Sequence, residues 1–201
     1  MPFVIYTLAF TGGFIIMSLE LLGGRVLAPY FGSSIYVWGS IITIFMLSLS
    51  LGYLFGGRLS LHHPSLTRFG MIFAVAAVLL YPLVYSAEPA MVWIFRHIED
   101  PRYGSLAASS LLFILPTVIL GMISPYSVRL LVASTHESGQ VAGRLYFVST
   151  MGSALGTLAT SFYFVLWFEI NTILTLMAVT LLLLAVIAIA ADKASAATVA
   201  G

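Results

Sequence analysis

Residues 18–40 read SLELLGGRVLAPYFGSSIYVWGS. The stretch carries a single carboxylate, Glu20, at the end of an otherwise uncharged run that starts at the N-terminus. Gly23-Gly24 and Arg25 follow, then a Pro-Gly-Ser break, and then a second long apolar run. Its first half reads as the end of one membrane helix and its second half as the start of the next.

The rest of the chain fits that reading. Of 201 residues, 61% are hydrophobic and 7% are charged, against about 25% charged residues in soluble domains. The mean hydropathy is +1.09. This composition specifies an integral membrane protein whose first partner is the lipid bilayer. A net charge of +1 argues against nucleic-acid binding. The absence of cysteine excludes disulfides, thiolate catalysis and Cys-ligated metal sites. With no basic region ahead of it and no small-residue cleavage signal before Arg25, the first segment reads as a retained helix.

A membrane helix needs about 20 apolar residues. Six segments qualify: about Pro2 to Leu22, Ile35 to Gly57, Phe69 to Ala87, Tyr103 to Val128, Leu145 to Phe168 and Ile170 to Ala191. The expected fold is an all-α domain of six transmembrane helices over residues 1–192, with a short polar tail at 193–201. Pro82 is expected to kink the third helix, and Pro116 and Pro125 lie within the fourth. Between the third and fourth, AEPAMVWIFRHIEDPRY has the composition of a short interfacial helix. Arg58, Arg68, Arg129, Arg144 and Lys193 outnumber Arg25, Arg96 and Arg102 on the other side, which favours both termini inside.

Sliding the sequence by 104 residues brings Arg25 onto Arg129, Gly39 onto Gly143, and Leu51-Gly52 onto Leu155-Gly156. Ser48, Gly52 and Gly56 then fall on Gly152, Gly156 and Thr160, so two helices carry a row of small residues at every fourth position. Such rows let helix backbones approach closely. Two halves, about 1–100 and 101–192, with three crossings each would form a 3+3 inverted repeat, an architecture common in secondary transporters.

Glu20 is the leading candidate for substrate binding or proton coupling, because a carboxylate in a membrane helix usually faces a cavity or a partner. The alternative is an interfacial clamp with a basic residue. Arg25 is a poor direct partner at about 140° around a straight helix, unless Gly23-Gly24 unwinds it. Arg25 and Arg129, related by the repeat, are candidate cationic gates or interfacial anchors, and Tyr30 completes the candidate set. Glu169 reads as a solvated turn residue. His62 and His63 are adjacent, and His97 and His136 are isolated, so no metal site and no cofactor is expected.

LELLGGRVLAPYFGSSIYVWGSIITIFMLSLSLGYLFGGRLS (residues 19–60) resembles the first membrane helices of bacterial fused major-facilitator/spermidine-synthase-like proteins. GRLYFVSTMGSALGTLATSFYFV (residues 143–165) resembles their later glycine-rich helix, and the similarity extends from about Met17 to Phe164. The resemblance implies residence in a bacterial inner membrane. It also implies a cytosolic aminopropyltransferase-like domain after the helices, which these 201 residues do not hold, so no enzymatic activity is expected of them. Two functions follow as expectations. The first is a transporter-like protein for a polyamine or related small cation, working as a homodimer or with a partner. The second is a non-catalytic membrane subunit that assembles with a separately encoded enzyme or larger complex. Catalysis by Glu20, Arg25 and Tyr30 ranks behind both, since a carboxylate and a guanidinium specify no reaction.

Overall fold

The computed structural model describes residues 2–132 and 137–200, with side chains as far as Ser195. His136 lies outside the described residues. The regular structure is helical. Helix α1 runs Pro2–Phe31, α2 Ile35–Ser60, α3 Leu66–Leu80 and α4 Leu83–His97. Helices α5 (Pro101–Gly121) and α6 (Ile123–Leu131) are separated by a break at Met122. Helix α7 (Ser138–Ala159) passes through a π-helical turn (Thr160–Phe164) into the short α8 (Val165–Trp167), and α9 runs Ile170–Ala200. That last helix carries straight through most of the segment read from sequence as a polar tail.

Four stretches are long and apolar enough to cross a membrane: Pro2–Phe31, Ile35–Ser60, Pro101–Leu131 and Ile170–Ser195. Helices α3 and α4 make a fifth if their 46° bend is read as one broken span. The bend falls at Tyr81-Pro82, where proline removes a backbone donor. The fifth sequence segment, from Leu145, is helical as far as Trp167 but is not among these spans. Its helix opens on the polar SGQVAGR, and its regular hydrogen bonding changes at Thr160.

The first helix does not end at Leu22, and Gly23-Gly24 does not unwind it. It continues to Phe31, and Gly32, with a φ of +75°, makes the turn. The two glycines make room for aromatic rings. A Cβ on Gly23 would lie 3.1 Å from the Phe113 ring, and one on Gly24 would lie 2.7 Å from Trp38.

Helix α4 buries Leu83, Ala87, Met91 and Ile94 and exposes Glu88, Trp93, Arg96 and His97 on its other face. Asp100 then caps α5, accepting from the Arg102 backbone N–H at 2.9 Å and from its Nη2 at 3.0 Å. Hydrogen bonds from the Arg102 side chain, and then from its backbone, hold the Asp100 carboxyl below the usual carboxylate range.

Three helix pairings make the bundle: α1 with α7, α2 with α5, and α3 with α9. The first two are parallel. Along α1, Phe10 meets Gly152, Phe14 meets Gly156 and Ser18 meets Thr160. Along α2, Ser40 meets Ser105, Gly52 meets Val118 and Gly121, and Gly56 meets Met122. The third pairing is antiparallel. Gly70 of α3 lies on Ala185 of α9, and Thr67 donates to the Asp192 carboxylate from its N–H (3.1 Å) and its Oγ1 (2.5 Å).

Contact at the small-residue rows is backbone on backbone. A Cβ on Gly52 would collide with the Val118 carbonyl oxygen, and one on Gly56 would lie 2.7 Å from Met122 Cα. Cβ atoms on Gly152 and Gly156 would collide with the carbonyl oxygens of Phe10 and Phe14. Ser48 and Thr160 complete the two rows, both buried. Ser18 Oγ donates to the Gly156 carbonyl at 3.3 Å and accepts from Thr160 Oγ1 at 2.8 Å, which joins α1 to the π turn. Gly39 and Gly143 face open space.

Gly52→Val and Gly156→Val should each destabilise the bundle by about 1–3 kcal/mol or more through overpacking. Gly39→Ala and Gly143→Ala should stay within about 0.5 kcal/mol of the parent. Reversible unfolding in mixed micelles measures all four.

Candidate functional site

The periodicity of an unbroken α1 fixes where its candidate residues stand. Arg25 is about 140° around the helix from Glu20, and Tyr30 is about 140° further. The three therefore face different directions at different heights. Arg25 is exposed, while Tyr30 is half-buried with its ring 6.2 Å from Phe95 of α4. Arg129 stands exposed near the end of α6. Because Gly12 of α1 lies on Ile123 and Gly23 on Phe113, the α5–α6 strut runs antiparallel to α1. Arg25 and Arg129 thus sit at opposite ends of the bundle. The structure does not gather Glu20, Arg25, Tyr30 and Arg129 into one site.

No clamp holds Glu20. The single ion pair among the described residues is Arg102 with Asp100. Glu20 is half-buried and has no hydrogen-bond or ion-pair partner among the described residues.

The structure holds a cleft that sequence reading missed, and Glu20 is not among the residues that line it. Gly13, Ile16 and Met17 of α1, Leu49 and Tyr53 of α2, Ser124 and Pro125 of α6, and a face of α7 enclose about 450 Å³. The α7 face is Tyr146, Ser149, Thr150 and Ser153. Glu20 lies about 20° around α1 from Gly13 and about 40° from Ile16, one turn further along. It stands beyond the lining residues of α1, toward the Arg25 end.

The hydroxyls of this cleft differ from those that bond their own helix. Elsewhere Thr7, Thr11, Ser50, Ser110, Ser127, Thr157, Thr175 and Thr180 each donate to the carbonyl four residues back. Such back-bonding satisfies a hydroxyl within its own helix. Ser153 does the same, donating to Ser149 O at 3.1 Å, and also reaches Gly13 O at 3.2 Å. Tyr53, Ser124, Tyr146, Ser149 and Thr150 have no hydrogen-bond partner for their hydroxyls among the described residues. Burying a hydroxyl in hydrocarbon without a partner costs about 1–3 kcal/mol on mutational scales. Tyr53, Tyr146 and Thr150 are exposed, so the space is open to the bundle surface, and the buried hydroxyls without a partner among the described residues are Ser109 and Thr117 of α5.

Two signals for the cleft were present in the sequence. Ser149 and Ser153 share one helical face with Tyr146, and the 104-residue shift carries Glu20 onto Ser124. The histidines supply no site. Among the described residues no three metal-ligating side chains cluster, and His97 is engaged with the Trp93 carbonyl at 2.7 Å.

The cysteine-free chain suits single-cysteine labelling. A charged, membrane-impermeant thiol reagent should modify Thr150→Cys at a rate about tenfold or more above Leu158→Cys, whose exposed side chain belongs to no cleft residue set. Equal rates at the two positions would show that the cleft is not wetted. No family model, curated protein or solved structure matches the chain, so the functional reading rests on this geometry and on the sequence.

Proposed function

We propose that the chain is a transport protein of a bacterial inner membrane, built as six spans in two inverted three-helix halves. It moves a small cation along the seam between the halves, with Glu20 as the binding carboxylate. One observation carries this reading: the helix pairings survive exchange of the halves. Shifting by 104 residues turns the Gly52–Val118 contact into Phe14–Gly156, and the Gly56–Met122 contact into Ser18–Thr160. Helices α2 and α7 begin at Ile35 and Ser138, and α3 and α9 at Leu66 and Ile170, which keeps the same register. Exchange maps α1·α7 onto α2·α5 and α3·α9 onto itself. An arrangement of two such halves supports rocking about a central site.

The charges support a sidedness. Arg58, Arg68, Arg129, Arg144 and Lys193 fall at the end of the bundle where α1 begins, and Arg25, Arg96 and Arg102 at the other. By the positive-inside rule the first group is cytoplasmic, with both termini inside. Helix α4 then lies at the outer surface, its Trp93 face toward the interface. The family resemblance of residues 19–60 and 143–165 supports a polyamine or related amine as the cation. The unpaired state of Glu20 leaves its carboxylate available to receive one.

Flux of labelled n-butylamine, putrescine and spermidine into proteoliposomes tests the reading. The parent chain should carry at least one of the three, and Glu20→Gln should lose about tenfold or more of that flux while inserting normally. Unchanged flux in Glu20→Gln would remove the carboxylate from the mechanism. No flux from the parent, with stable co-purification of a second polypeptide, would favour a non-catalytic subunit.

A further inference from the structure

We propose that a groove between α2, α3 and the α5–α6 break binds an anionic phospholipid, with Arg68 on its phosphate and one acyl chain along the groove. This goes beyond the transport reading and does not depend on it. Arg68, Met71, Ile72 and Val75 line the groove from α3. Their spacing of i, i+3, i+4 and i+7 puts them on one helix face, which descends about 10 Å from Arg68 to Val75. The other walls are Leu59 of α2, Ile119 of α5 and Met122 at the break. The groove holds about 240 Å³. Closed small-molecule pockets typically hold about 300–1,000 Å³, and the smaller groove suits part of a chain.

Its lining is apolar except at one end. Arg68 is the charged residue there, half-buried in the first turn of α3. Its Nη1 donates to the His62 carbonyl, but a guanidinium carries five N–H donors. It has no ion pair, since the single pair among the described residues joins Arg102 to Asp100. Asp192, the carboxylate beside the start of α3, accepts from the Thr67 N–H and Oγ1 instead. Arg68 also stands at the right depth. Leu59 is one residue from the end of the Ile35–Ser60 span, and Asp192 is near the end of the Ile170–Ser195 span. The guanidinium is therefore level with the headgroups, and the groove runs from it into the hydrocarbon. Met71 and Met122, flexible and polarizable, suit an irregular apolar occupant.

The two properties together select the ligand. An uncharged lipid would cover the apolar walls and leave the guanidinium unpaired, and a soluble anion would do the opposite. A phosphate joined to an alkyl chain satisfies both, and guanidinium forks bind phosphate oxygens in pairs. The surroundings select the headgroup. Arg58, Arg129, Arg144 and Lys193 share this end of the bundle. Of the described carboxylates at this end, Asp192 is engaged and Glu137, at the start of α7, lines no part of the groove. Such an excess of basic residues attracts anionic headgroups and repels the ammonium of phosphatidylethanolamine.

Photolabelling of the full chain in lipid nanodiscs tests the assignment. The probes are phosphatidylglycerol and phosphatidylethanolamine with a diazirine in one acyl chain, and peptide mass spectrometry locates the label. Labelling of Met71, Val75 and Ile119 is compared with that of Leu183 and Val186, exposed on α9, which report ordinary lipid contact. The groove-to-α9 ratio should be about fivefold higher for phosphatidylglycerol than for phosphatidylethanolamine. Arg68→Gln should lower the phosphatidylglycerol ratio about fivefold, the effect of one basic side chain at the membrane surface. Arg68→Lys should keep most of it. Val75→Trp, at a half-exposed position, should fill the groove and remove its label. Unchanged α9 labelling is the folding control for each variant. Equal ratios for the two headgroups would overturn the anionic selection, and an unchanged ratio in Arg68→Gln would overturn the role of Arg68. Groove labelling by phosphatidylglycerol no greater than α9 labelling would overturn the site. Displacement of the probe by soluble glycerol 3-phosphate would overturn the phospholipid as occupant, because a free phosphate would then suffice.

Discussion

The close approach of helix backbones at Gly52, Gly56, Gly152 and Gly156 is the constraint on which the other packing depends. Inside a bilayer, burying an apolar side chain between helices gains little, because lipid is as apolar as leucine. Association must come from dense packing and from hydrogen bonds made in hydrocarbon. Glycine permits both: α7 lies on the carbonyls of Phe10 and Phe14, and α2 lies on Val118 and Gly121. Ser18, Thr160 and the Gly156 carbonyl then form a short hydrogen-bonded chain across one seam. The other seam has Gly56 against Met122 at the equivalent place. These contacts fix which helices are parallel, and that sets which faces meet in the centre.

The cleft is a consequence of where these seams stop. Gly13 lies against Ser149 and Ser153, so α1 and α7 touch at one wall of the space. On the facing side the helix is interrupted at Met122 between α5 and α6, with Pro125 in the first turn of α6. Leu49 and Tyr53 of α2, beside the Gly52–Gly56 seam, form the wall opposite α7. A space opened by a helix break would be costly if lined by leucine and left empty. This one is lined by hydroxyls, which water or a polar ligand can satisfy. The π turn at Thr160–Phe164 is a second irregularity, and its Phe164 ring packs 6.2 Å from Phe14.

Much of the architecture was legible in the sequence because membrane insertion demands long apolar runs and helix packing demands small residues, and both write themselves in plain periodicities. The four long apolar spans, the bent α3–α4 pair with its kink at Pro82 and the two small-residue rows are of this kind, whereas the segment read from Leu145 is not among the stretches long and apolar enough to cross. Gly23-Gly24 was misread, since glycine pairs mark both helix ends and sites of close aromatic approach. Only the partners, Phe113 and Trp38, decide between the two, and they lie 90 and 14 residues away from Gly23 and Gly24. Glu20 was found because any intramembrane charge stands out. The cleft hydroxyls were not, because serine and threonine in such helices mostly bond their own backbone, and sequence does not say which of them fail to. The polar SGQVAGR likewise hid that the helix read from Leu145 begins already at Ser138.

The inverted repeat that we propose requires equivalent positions of its two halves to lie on opposite sides of the membrane. Gly39 and Gly143 are equivalent, each stands near the start of its helix, and a side chain at either would meet open space. Single Gly39→Cys and Gly143→Cys chains, labelled with an impermeant thiol reagent before and after permeabilising cells, measure this directly. We expect Gly39→Cys to label in intact cells and Gly143→Cys only after permeabilisation. Labelling of both from the same side would contradict the inverted repeat and the site built on it.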